Sequence, residues 1–344
     1  MVLVRNKLNI FPYISKLSTV MVRLRNLQFC LGVTVGISAT FTVLVMRWSW
    51  TSIPDTGQES HLKRATSNNS CPCSSVTDDY NIAQELIQKV RIVCWIMTSP
   101  KNLQSRAIHV KNTWTKRCNV GLFMSSVQNA SFPTIGLNVS EGRSHLTAKT
   151  MKAFKYLYDN HLDDADWFLK ADDDTYVIME NLRYLLSEEN PKEAIYFGAR
   201  FKAYVKQGYT SGGGGYVISK EALRRIGSEG FLDKRVCTVD GGPEDVQIGL
   251  CLQNLGVRLK SSLDVRGRTR FHCFKPEDVV TAKFPKWYYN FDFDHGKGGM
   301  DNISDYAISF HYVKGDTMYA LEYYIYHLRP YGIPNRAQNL NVQT

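Results

Sequence analysis

The chain has 344 residues and carries 42 Lys and Arg against 32 Asp and Glu, a formal net charge of +10. Its basic residues form no block as long as a nucleic-acid patch, so they read as a scattered, solvated surface with no nucleic acid as partner. The length suits one α/β domain of roughly 260 to 270 residues with an added N-terminal module.

Residues 27–46 form an uncharged, largely apolar stretch, about 30 Å long as a helix and so long enough to span a bilayer. Arg5, Lys7, Lys16, Arg23 and Arg25 precede it, and no acidic residue occurs before Asp55. The positive-inside rule then predicts a cytoplasmic tail (1–26), a type II signal-anchor (27–46), a lumenal stem (47–80) and a lumenal globular domain (81–344). A cleaved signal peptide fits less well, because the apolar stretch is longer than an ordinary h-region. N-x-Ser sequons at Asn68, Asn129, Asn138 and Asn302 agree with a lumenal body. So do the cysteines, seven of eight of which (Cys71, Cys73, Cys94, Cys118, Cys237, Cys251, Cys273) follow the span. Seven is odd, so at least one thiol is free or joins another chain.

Past the stem, residues 81–89 read as a helical lead-in and 91–97 as a β-type run stopped at Thr98, Ser99 and Pro100. A helical segment at 105–114 leads to a second strand at 120–125. Leu146, Met151, Phe154, Leu157, Tyr158 and Leu162 recur at helical spacing from about Ser144. Strand, helix, strand, helix, strand in that order argues for a parallel sheet and a nucleotide-binding α/β half. The alternation continues through 194–201, 215–219 and a helix at 220–226, and the part from Cys237 onward is more aromatic and less regular.

The next strand, 167–171, ends in Asp172, Asp173 and Asp174. Three adjacent carboxylates repel one another unless a cation offsets them. In an extended segment Asp172 and Asp174 project to the same side, giving two hard oxygen ligands at a strand's carboxyl end, where open α/β sheets bind ligands. A solvated acidic turn is the competing reading. The apolar lead-in and the return to Thr175, Tyr176 and Val177 favour a metal site.

Four further segments carry candidate chemistry. Gly212 to Gly215 stand in front of a strand and would let backbone approach a ligand, although a mobile loop is the commoner explanation of such a run. Glu244 and Asp245 sit at a loop-to-helix junction, either as dipole complementation or as a general base. His311 lies in an apolar, aromatic strand, as a hydrogen-bonded core residue or as a third ligand for the ion. Trp287 opens an aromatic segment, 287–293, whose half-exposed rings would suit the apolar face of a sugar.

Together these segments resemble the inverting β1,3-glycosyltransferases, and most closely the core 1 β1,3-galactosyltransferase (T-synthase) family. The likeness runs from about Arg91 to Gly332. It includes residues 94–98 (Cys-Trp-Ile-Met-Thr), 109–114 (His-Val-Lys-Asn-Thr-Trp), 166–178 around the Asp run, 309–313 (Ser-Phe-His-Tyr-Val) and 326–332. The resemblance implies a GT-A (Rossmann-like) fold, Mn²⁺, UDP-galactose as donor, glycoprotein acceptors bearing O-linked N-acetylgalactosamine, and a Golgi or early secretory membrane. A homodimer is an expectation from the likeness alone.

By position, Asp172, Asp174 and His311 would hold the metal, and Asp245 would take the proton of the acceptor 3-hydroxyl. Met97, Glu141, Gly142, Arg143, Lys149, Asp172, Gly212, Gly213 and Tyr312 would line the donor, with Lys149 and Arg143 bonding phosphate or ribose, and Trp287 would meet the acceptor sugar. Cys94–Cys118 and Cys237–Cys251 are the pairings expected on this basis. The likeness departs at residues 299–304, which lack the family's adjacent cysteines and hold the Asn302 sequon instead. A missing bridge predicts a looser loop behind the acceptor wall. The alternatives are a fringe-like β1,3-N-acetylglucosaminyltransferase and a non-catalytic chaperone or lectin-like relative.

Overall fold

The computed structural model describes residues 74–331. The tail, the anchor expected at 27–46 and the stem up to residue 73 lie outside the described residues, and no helix among the described residues is long and apolar enough to cross a membrane.

Helix α1 (Ser74–Lys89) starts inside the segment expected to be stem and leads into β1 (Ile92–Met97). Every β1 residue is buried, as a continuous apolar run requires when both sheet faces are covered. Ile92, Cys94 and Ile96 join one core layer, and Val93, Trp95 and Met97 join the other. A π-type turn (Leu103–Ala107) and the short α2 (Ile108–Asn112) take up the segment expected to be helical, before β2 (Val120–Ser125) and β3 (Thr134–Gly136). Helix α3 (Leu146–His161) buries Met151, Phe154 and Leu157 against the sheet, each contributing about 1.5–3 kcal/mol.

The chain continues through β4 (Trp167–Asp172), β5 (Tyr176–Val177), α4 (Met179–Leu186) and β6 (Ile195–Gly198). A small hairpin, β7 (Arg200–Phe201) and β8 (Tyr209–Thr210), precedes β9 (Tyr216–Ser219). Helix α5 (Lys220–Glu229) is capped by Ser219, whose Oγ accepts from the Ala222 amide at 3.1 Å. Then follow α6 (Glu244–Asn254), β10 (Arg258–Leu259), β11 (Phe271–His272), α7 (Pro276–Val280), α8 (Lys286–Phe291), β12 (Ser309–Phe310) and α9 (Gly315–Tyr326).

The main sheet has the order β10-β6-β9-β4-β1-β2-β3. Strands β1 to β4 are mutually parallel as the alternation predicts, but β9 runs antiparallel to both β4 and β6, so the sheet is mixed. The cause is the connection: β6 reaches β9 through the β7/β8 hairpin, without a crossover helix. The chain winds outward from β1 to β2 and β3, then returns to place β4 on β1's other side. That makes the carboxyl ends of β1 and β4 the switch point where such sheets bind ligands, and Met97 pairs there with Asp172.

Disulfides Cys94–Cys118 and Cys237–Cys251 are both present, and Cys273 is a buried free thiol. The loop at 299–304, expected to be loose, is pinned by backbone hydrogen bonds. The Thr269 amide donates to the Asn302 carbonyl and the Ser304 amide to the Thr269 carbonyl, each at 2.9 Å. Asn302 Nδ2 is itself engaged, donating to the Gly298 carbonyl at 2.6 Å.

Candidate ion and nucleotide site

Strand β4 stops at Asp172, and the chain turns there, with the Thr175 amide donating to the Asp172 carbonyl at 3.1 Å. Asp172 and Asp174 therefore come together across a turn. The alternation of an extended strand, expected from the sequence, is not the reason. Asp173 points away and is buried, accepting from Thr98 Oγ1 at 2.8 Å and Asn102 Nδ2 at 2.9 Å, so it fastens the end of β1 to the turn.

His311 follows the end of β12 and is not within the strand. It reaches the Asp run through a second sheet, in which β12 lies antiparallel to β5 with Phe310 opposite Tyr176. The Val313 amide then closes on the Asp174 carbonyl at 2.8 Å. His311 Nε2 lies 3.1 Å from Asp174 Oδ1 and 3.9 Å from Asp172 Oδ2. One ligand atom from each of Asp172, Asp174 and His311 falls within 4.8 Å of the others. Two carboxylates and an imidazole suit a divalent metal ion. Burial works against the Asp174 charge, but the hydrogen bond and charge of His311, with Arg106 and Lys170, hold its carboxyl below the ordinary value.

The glycine run is fixed in place. Thr175 Oγ1 donates to the Gly213 carbonyl at 2.8 Å, and Ser309 Oγ donates to the Gly214 carbonyl. Gly213 faces the His311 ring, and Gly212 faces Glu244 and Lys170. Lys170, a charged residue in an otherwise apolar strand, is only 2% exposed. Its Nζ donates to Asp172 Oδ1 at 2.7 Å and to the Gly212 carbonyl at 3.0 Å. Burial opposes its charge, yet Asp172, Glu244 and Asp245 together raise its pKa above the ordinary lysine value.

Glu244 and Asp245 part ways at the start of α6. Glu244 is buried and accepts from Thr150 Oγ1 at 2.8 Å and Tyr216 OH at 3.4 Å, so it is a structural anchor. Asp245 makes one local bond, from the Val246 amide at 3.0 Å. Burial, with Asp172's charge adding to it, raises the Asp245 pKa above the ordinary aspartate value against the pull of that amide and of Lys170. A carboxylate with a raised pKa and few partners is what a general base requires.

On the far side of β1, Lys149 is buried and donates to the Thr98 carbonyl at 3.0 Å and to Glu141 Oε1 at 2.8 Å. These bonds hold Glu141 and the end of β1 together. Gly142 has φ +123°, and the exposed Arg143 begins a 3-10 turn whose charge reaches Tyr312. Tyr312 itself takes φ +55° and stacks its ring on His311, centroids 3.9 Å apart. Ser99 Oγ and Ser125 Oγ, at the carboxyl ends of β1 and β2, are buried without hydrogen-bond partners among the described residues.

Trp287, 48% exposed, packs on Phe274 at 6.0 Å and on Phe201 at 6.2 Å. The Phe274 carbonyl accepts from the His311 amide at 3.2 Å, which ties the aromatic wall to the ion site. Sequence reasoning missed Lys170, although its charge inside an apolar strand was a readable signal. It also missed Arg106, for which no signal existed.

A mixed, doubly wound sheet with an Asp–Asp–His cluster at its carboxyl edge defines an α/β protein of the nucleotide-binding kind. The chain belongs to the Fringe-like family, whose model matches residues 87–314. It is similar to glycoprotein-N-acetylgalactosamine 3-beta-galactosyltransferase 1 of Xenopus laevis, 51% identical over 265 residues, which are 76% of this chain and 73% of that protein. Beta-1,3-glucosyltransferases of Mus musculus and Homo sapiens are each 27% identical, over 39% of their own length.

Proposed function

We propose that this protein is an inverting glycosyltransferase of the GT-A type that moves galactose from UDP-galactose to the 3-hydroxyl of N-acetylgalactosamine O-linked to glycoproteins. The observation that carries the reading is the convergence of Asp172, Asp174 and His311 at the switch point of the sheet. The Xenopus laevis relative, 51% identical, supports the choice of sugar and acceptor. Asp172, Asp174 and His311 would hold a divalent ion, Mn²⁺ on this reading, which would supply a Lewis acid for the leaving diphosphate.

The chain's own residues account for the rest. Lys170 and the glycine run hold Asp172 in place, and Tyr312, Arg143 and the end of β1 form the donor's rim. Asp245 accepts the proton of the acceptor hydroxyl as that oxygen attacks the anomeric carbon from the face opposite the departing UDP. Trp287 offers a flat apolar surface for the acceptor ring. Holding the hydroxyl in line contributes much of the rate. The same reading seats the chain in a Golgi or early secretory membrane on a single-pass type II anchor. The apolar stretch 27–46, its basic leader and the two disulfides support that seat.

A donor competition tests the proposal. The full chain is given Mn²⁺, an N-acetylgalactosaminyl-threonine peptide and equal UDP-galactose, UDP-N-acetylglucosamine and UDP-glucose, and the products are read by mass. Addition of a hexose that β1,3-galactosidase removes is expected. Addition of N-acetylglucosamine instead would move the assignment to the fringe-like alternative.

A further inference from the structure

Each carboxylate of the ion site is held by a cation on the side away from His311. Lys170 Nζ is 2.7 Å from Asp172 Oδ1, and Arg106 Nη1 is 2.9 Å from Asp174 Oδ2. The other two oxygens, Asp172 Oδ2 and Asp174 Oδ1, are the ones that face His311 Nε2. Each carboxylate thus offers one oxygen, and the two anions are formally balanced by an ammonium and a guanidinium.

The two cations are placed differently. Lys170 is buried and tied to the Gly212 carbonyl. Arg106 sits on the π-type turn Leu103–Ala107, a departure from regular helix found often at functional sites, and its side chain is 51% exposed. Nη1 also lies 3.5 Å from Asp173 Oδ1, while Nε and Nη2 make no hydrogen bond among the described residues. A guanidinium presents its donors as a planar fork that matches phosphate oxygens.

We propose that Arg106 is a charge-balancing and positioning residue: it turns Asp174 so that one oxygen faces His311, and it makes a divalent cation bind weakly alone but well together with the donor's diphosphate. The proposal rests on the UDP-sugar reading of this site. An incoming dication at Asp174 Oδ1 is repelled by the guanidinium on the same carboxylate's other oxygen. A diphosphate brings negative charge that relieves the repulsion and gives the unengaged N–H groups an acceptor.

Calorimetry on the full chain tests this without turnover, using Mn²⁺ alone and then UDP in saturating Mn²⁺. Arg106→Gln, which removes the charge, is expected to tighten Mn²⁺ binding at least threefold and to weaken UDP binding at least threefold, with Tm unchanged. Arg106→Lys keeps the charge and is expected to bind Mn²⁺ alone as weakly as the wild type. A residue that merely braced the turn would weaken both ligands together. Equal or weaker Mn²⁺ binding by Arg106→Gln overturns the proposal, provided the wild type binds Mn²⁺ and UDP. If the wild type binds neither, the donor-site reading is overturned and this inference with it.

Discussion

A Cβ placed on Gly213 would fall 2.0 Å from His311 Cε1 and 2.3 Å from its Nδ1. Such approaches do not occur between real atoms, so the absence of a side chain at Gly213 is what lets the imidazole stand beside Asp172 and Asp174. The glycine run is therefore a wall of the ion site, fixed by Thr175 and Ser309.

Gly213→Ala should displace His311 and reduce transfer by at least about tenfold, while overpacking costs about 1–3 kcal/mol of stability. The Mn²⁺ concentration for half-maximal rate should rise with it. Kinetics and a melting curve on the same sample check both. Activity within twofold of wild type at unchanged Mn²⁺ demand would mean that His311 does not need this space.

The pH dependence of kcat tests Asp245. Its pKa lies above the ordinary aspartate value, and a general base works only when ionised, so the rate should fall as pH drops through a midpoint above about 3.9. Protonation of the metal ligands would give an acid limb that moves with Mn²⁺ concentration, whereas this one should stay put. Asp245→Asn should lower kcat by about 10²–10⁴-fold at neutral pH with the melting point preserved. An acid limb that persists unchanged in that variant would assign it elsewhere.

Stability should also fall in acid because of His272. Its ring is buried, with Nδ1–H donating to the Ser309 carbonyl at 3.0 Å, and burial pushes its pKa down to about 4. The unfolded chain binds a proton near pH 6.5 and the folded one does not until about pH 4, so stability present above 6.5 is lost between those values. The loss is about 3 kcal/mol. Melting curves from pH 7 to 4 should show it, and His272→Gln should flatten that part of the curve. An identical slope in the variant would remove His272 as the cause.

The readable part of this fold was the part whose residues are neighbours in the chain. The β-type runs at 91–97 and 120–125 announced β1 and β2, and the helical spacing of Met151, Phe154 and Leu157 announced α3. Asp172 and Asp174 were visible as a pair, but a turn unites them, and turn geometry leaves no hydrophobic period to read. His311 comes to them through the register of β12 on β5, a long-range pairing that no local pattern encodes. Its place, like the cysteine pairings, followed from likeness to known enzymes. The antiparallel β9 was missed because helix–strand alternation says nothing of a hairpin that reverses the chain.

Breaking the Cys94–Cys118 bridge should cost about 3 kcal/mol, since it closes a loop between residues separated by 24 in sequence. A Cys94→Ala/Cys118→Ala protein should melt lower and keep its Mn²⁺ demand, because the bridge lies away from the carboxyl ends that carry the ligands. A large change in Mn²⁺ demand without a change in Tm would show that it shapes the site.

The most direct test of the account is galactosyl transfer by the full chain. UDP-galactose, Mn²⁺ and an N-acetylgalactosaminyl-threonine peptide are supplied to the wild type, Asp174→Ala and Asp245→Asn, and linkage and anomeric configuration are read by NMR. The account predicts β1,3-linked galactose from the wild type and at least about a hundredfold loss in both variants. No transfer by the wild type, or equal transfer by Asp174→Ala, would contradict it.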